Sequence, residues 1–113
     1  SADEARRHGF STDLASAEGC MAVALAQSDA VSAAEGALAR ATSALEGLSE
    51  PSIRGMLTVI PGFILLAQAR LADDPGERGA LRAHAEGIAR DAVGDAYPAV
   101  SSLGSLLQET LKR

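Results

Sequence analysis

Residues 10–48 read FSTDLASAEGCMAVALAQSDAVSAAEGALARATSALEGL, and the fold turns on how this stretch is read. Phe10, Ala17, Ala24, Val31, Leu38 and Leu45 recur every seven residues, with Leu14, Met21, Ala34, Ala41 and Leu48 between them. Apolar side chains spaced by three and four line one face of an α-helix. Strands would show β-branched runs, and the only candidate in the chain is Leu57-Thr58-Val59-Ile60. Around Gln27-Ser28-Asp29 the interleaved positions change phase. Residues 11–48 therefore form either one helix of roughly 55 Å at 1.5 Å per residue or two helices broken near Ser28. The second option matches the element lengths elsewhere and is the expected one. Ser28 is then a candidate N-cap, and Ser32-Ala33-Ala34-Glu35 a candidate capping box.

Outward from this stretch the boundaries are punctuated more clearly. Gly47-Leu48-Ser49-Glu50-Pro51 combines a helix-ending glycine, a candidate N-cap serine and a proline suited to a first turn. The next segment, Ile53–Ala72, is apolar around nearly its whole circumference and is expected to be the most buried element. Pro61 within it lacks a backbone donor and clashes with the carbonyl of Leu57, which predicts a kink or break. Asp73-Asp74-Pro75-Gly76-Glu77 ends that segment, with Asp74 and Glu77 as a capping pair and Pro75 at the first helical position. A helix from Glu77 to Val93 follows, with Leu81, Ala85, Ile88 and Ala92 on one face. On its other face Arg82, Glu86 and Arg90 are spaced for i,i+4 pairing. The last helix, Pro98–Leu111, buries Val100, Leu103, Leu107 and Leu111. Residues 1–10 are polar and are expected to fray or form one short turn. The chain reads as one all-α domain over 1–113, an antiparallel bundle of four helices, or five if residues 11–48 divide, with a proline kink near Pro61.

Composition narrows the function. Fifteen acidic against ten basic residues give a formal charge of −5, and no basic cluster exceeds Arg6-Arg7, so nucleic acid is an unsuited partner. The longest apolar run, Met56 to Ala67, is interrupted by Pro61-Gly62 and suits a buried helix better than a membrane span. Cys20 is the sole cysteine; on an apolar helical face it reads as a buried small hydrophobe, with no base or cation within a turn to activate it. A lone cysteine leaves the compartment open, with a cytoplasmic one slightly favoured. His8 and His84, the two histidines, lie in no Glu-x-x-His or His-x-x-x-His spacing, so no metal or other cofactor is expected. Serines fall at helix starts or in alanine-rich stretches, without a nucleophile motif. Gly19, Gly36, Gly87 and Gly104 lie inside predicted helices, each costing up to about 1 kcal/mol relative to alanine. Close helix packing is the expected compensation.

Two functional readings follow, with an enzyme built from His84 and Cys20 or Glu86 a distant third. The first is a non-enzymatic interaction module that self-associates as a homo-oligomer or docks a partner helix. Its interface would be the stripe Phe10, Leu14, Met21, Val31, Leu38 and Leu45. The second is a sensor or carrier of a small molecule. Its pocket would lie near the Pro61 kink, lined by Met56, Ile60, Phe63 and Leu66, with a cavity of at least ~300 Å³. Size and alanine-rich texture match the four-helix ligand-sensing domains of bacterial receptors, an analogy of fold with no motif behind it.

Overall fold

The phase change at Ser28 marks a true boundary. A computed structural model of the chain describes residues 2–113 as five helices: α1 (Ala2–Gln27), α2 (Val31–Ala44), α3 (Pro51–Leu71), α4 (Pro75–Val93) and α5 (Pro98–Leu111). No strand occurs among the described residues. Residues 11–48 thus divide, but not by serine capping. Asp29 adopts a left-handed φ of 63°, its N–H donates to the Ala26 carbonyl, and the Ala30 N–H reaches back to Leu25. This is a Schellman closure with aspartate in the usual glycine position. Ala30 is the N-cap of α2 and makes no side-chain cap bond, so neither Ser28 nor the Ser32–Glu35 box does that work.

The polar N-terminus also departs from expectation. Residues 2–10 are the opening turns of α1, where Asp3 and Glu4 complement the helix dipole. His8 pairs with Glu50 across the mouth of the α2–α3 connection. Ser1 lies outside the described residues.

The other boundaries follow local chemistry. Gly47 takes a positive φ of 76° after α2. Asp74 caps α4 by accepting from the Glu77 N–H at 2.8 Å, with Pro75 at its first position. Glu50, not Ser49, is the N-cap of α3. Helix α3 continues through Pro61 without a break. It has the length and apolarity of a membrane-crossing helix, but it approaches all four other helices. Its buried Val59, Ile60, Phe63, Ile64 and Leu66 form the centre of the core.

Polar contacts fix the directions. Glu18 pairs with Arg40, setting α1 against α2 in opposite directions. Arg82 of early α4 donates to the Leu111 carbonyl at the end of α5, rather than pairing with Glu86. Helices α1, α3 and α5 therefore run one way and α2 and α4 the other. The α1–α2 and α4–α5 hairpins flank α3 in a body of 54 × 29 × 19 Å.

Arginines close the helix ends. The terminal carbonyls of a helix lack intrahelical partners. Arg70 donates to Ala26 at the end of α1 and to Asp29 beyond it. Arg54 reaches Leu45 and Leu48 after α2. Arg78 reaches Ala72 after α3, and Arg82 serves α5. Each guanidinium also sits at the negative end of a helix dipole.

The expected role of the glycines holds for some and not others. A Cβ at Gly104 would lie 2.7 Å from the Ala92 Cβ and 2.9 Å from the Val93 nitrogen, so α5 rests directly on the backbone of α4. Gly55 and Gly62 admit Val100 and Leu107 against α3 in the same way. Gly36 and Gly87, by contrast, meet nothing nearer than an arginine side chain. Gly104→Ala is therefore expected to destabilise the fold by about 1–3 kcal/mol through overpacking. Gly87→Ala should stabilise it by up to about 1 kcal/mol through helix propensity. Urea unfolding of the two variants beside the parent checks both signs.

Candidate functional site

Helix α1 is apolar on two opposite sides. One stripe, Ala15, Gly19, Ala22 and Ala26, is buried against α2 and α3. A second, Phe10, Leu14, Ala17, Met21 and Ala24, is exposed. At about 100° per residue the mean directions of the two lie roughly 150° apart. The bulk is on the outer one: Phe10 is 70% exposed, Met21 49% and Leu14 39%. The inner stripe is small because α3 supplies large side chains there; a Cβ on Gly19 would already touch Ile60 and Leu57 at 3.3 Å.

The seven-residue stripe of the sequence is therefore two surfaces, not one. In α1 it faces outward. Past the left-handed turn at Asp29 the chain reverses, and in α2 the same register turns inward. Val31 and Leu38 are half-buried and packed against the core, and Leu45 is fully buried. Of the six expected interface residues, Phe10, Leu14 and Met21 lie together on an accessible face. The other three serve the interior, because a closed hairpin needs their apolar area there.

The four residues expected around a pocket near Pro61 are also separated. Met56 and Ile60 join Gly19, Cys20, Val23, Leu103 and Leu106 in an apolar groove of about 180 Å³. Its floor is α3 and its walls are α1 and α5, two helices that make no close backbone approach to each other. Phe63 lies within the core. Leu66, buried as well, borders a different cleft, toward the far ends of α3 and α5. The groove is smaller than the ~300 Å³ at which small-molecule pockets begin.

Cys20 corrects the reading of a buried thiol. It is exposed, because it lies one residue past Gly19 and so off the inner stripe, on the rim of the groove. His84 and Glu86 are both exposed on α4. Among the described residues no group of three or more His, Cys, Asp or Glu side chains could hold a metal ion. Leu106, 40% exposed on the groove's outer lip, escaped the sequence reading. Its signal was that it stands one residue before Leu107 and so off the α5 ridge. The flanks of the outer face are polar: Asp13 is exposed, and Glu18 is held by Arg40 at 3.0 Å.

The chain matches no protein-family model, no curated protein and no solved structure.

Exposure of Cys20 has a direct consequence. The native protein is expected to react with a maleimide to completion, one label per chain, without denaturant. Labelling that needs urea would show the thiol to be shielded.

Proposed function

We propose that this protein is a non-enzymatic interaction module that self-associates through the outer face of α1. One observation carries the reading. Three large apolar side chains and two alanines stand exposed at alternating spacings of four and three, on the side of α1 away from the face it buries in its own core. Scattered surface apolar residues need no explanation, whereas an ordered strip of them is the surface that association covers. Nothing in the fold of one copy requires Phe10 or Met21 to be apolar, since neither is buried there.

A short helical seam is a small interface, and it belongs with weak or transient associations. Sedimentation equilibrium from low micromolar to submillimolar concentration is expected to show reversible self-association. In the double variant Phe10→Ser/Met21→Ser the weight-average mass should fall to that of one chain. Folding stability should stay within about 0.5 kcal/mol of the parent, as for exposed positions. A parent that stays monomeric throughout, or association unaffected by the double change, would reject this face. Leu38 is unsuitable as a probe because it also supports the core.

The groove between α1 and α5 supports a second reading, a carrier of a short apolar ligand, because its lining is almost wholly apolar. Short-chain fatty acids should then raise Tm in the parent but not in Leu106→Trp, whose indole would fill the groove. No shift in the parent with any chain length would dismiss it.

A further inference from the structure

We infer that two copies meet on this face with their α1 helices antiparallel, in one register that seats Phe10 of each copy on Met21 of the other. This rests on the self-association proposed above and adds its orientation and register.

The pattern is that of a coiled-coil seam, with Leu14 and Met21 in one class of core position and Phe10, Ala17 and Ala24 in the other. Continued toward the N-terminus, the same seam reaches Arg7 and then Asp3, both exposed. A parallel pair would bring each residue against its own copy. Arg7 would face Arg7 and Asp3 would face Asp3 in seam positions, and Asp13 of each chain would flank Glu18 of the other. Three kinds of like-charge contact in one short seam oppose that arrangement, since such juxtaposition is what interfaces avoid.

Antiparallel pairing removes all of them in one register. Phe10 then faces the second copy's Met21, Leu14 its Ala17, and Arg7 its Ala24. Large meets small or flexible at each layer, and the thioether of Met21 lies against an aromatic ring, a favourable contact. Along the flanks Asp13 comes beside Cys20, Arg6 beside Gln27 and Glu18 beside Ser11, with no like charges adjacent. Sliding one heptad toward the N-termini would set Asp13 against Asp13. Sliding one heptad the other way would leave Phe10 opposite Ser28, past the end of the helix. The favoured seam runs from Arg7 to Ala24, about 27 Å at 1.5 Å per residue. The groove and α2 lie to either side of it.

Disulfide trapping tests the register without touching Phe10, Leu14 or Met21. Two variants are made in a Cys20→Ser background, one Arg7→Cys and the other Ala24→Cys, then mixed under mild oxidation. The expected product is the mixed disulfide between the two variants, with homodisulfides only at trace level. In the proposed register identical positions lie about 25 Å apart along the axis. Homodisulfides as the main product would overturn the inference in favour of parallel pairing. Sedimentation of the reduced mixture separates the two failures. Association with no disulfide at all would mean another register or face and would overturn this inference, whereas loss of association in the parent would overturn the self-association itself.

Discussion

The constraint on which this structure depends is how a core closes when the chain has one large buried ring. Among the described residues Phe63 is the only aromatic side chain in the interior, and α3 supplies most of the remaining bulk through Val59, Ile60, Ile64 and Leu66. The surrounding helices answer with alanine and glycine: Ala15, Ala22 and Ala26 from α1, Ala34, Ala37 and Ala41 from α2, and Ala85 and Ala89 from α4. Interiors are filled to crystal-like density, so small side chains around a bulky helix require the helices to approach closely. The glycines at 55, 62 and 104 are where that approach is tightest, and there even a methyl group would overlap a neighbour. The same requirement explains why α1 faces inward with its smallest residues. Its larger ones are left on the opposite side.

A second economy concerns charge. With α1, α3 and α5 running in one direction, their C-terminal ends gather at one end of the bundle and their dipoles add there. Arg70, Arg82 and Arg113 line the cleft at that end with Gln27, Asp29 and Thr110. A cluster of arginines in an acidic protein invites an anion-binding interpretation. The hydrogen bonds argue otherwise: Arg70 is committed to Asp29 and the Ala26 carbonyl, and Arg82 to the Leu111 carbonyl. These cations neutralise helix ends. A bound anion would compete with partners already in place.

Legibility followed the range of the interaction. Asp74-Pro75 with Glu77, and Pro51 after Gly47, are short-range chemistry, and they place both ends of α3 and the start of α4 within two residues, whereas α2 stops at Ala44, four residues before the expected end at Leu48. The burial of α3 was legible too, because a helix apolar all round has nowhere else to go. The seven-residue stripe was harder. Periodicity reveals that a face is apolar without saying which way it points, and α1 carries two such faces. The inner one, Ala15, Gly19, Ala22 and Ala26, is the less conspicuous because its residues are small. Only the left-handed turn at Asp29, set by Arg70 some forty residues away, decides that the register points outward before the turn and inward after it. The early start of α1 was hidden for a similar reason, since Glu50 meets His8 only once the bundle has formed. Met56 and Ile60 lie together on the floor of the groove, but the Leu103 and Leu106 beside them come from a helix whose position no local signal records.

The outer face of α1 then poses a question about alternatives. A solvated helix surface could carry lysine or glutamate at positions 10, 14 and 21 without disturbing a single core contact. Helix propensity would favour that choice at position 10, because phenylalanine ranks below both, and is indifferent at 14 and 21, where leucine and methionine rank with them. Neither packing nor propensity within one copy selects the three residues present. The proposed self-association accounts for them through a partner surface with the same period. The charged residues at 3, 7 and 13 fit that view, because they are arranged so that one orientation of such a partner is opposed and the other is not. The spacing supports the partner surface, and the flanking charges, on different residues, oppose its parallel orientation.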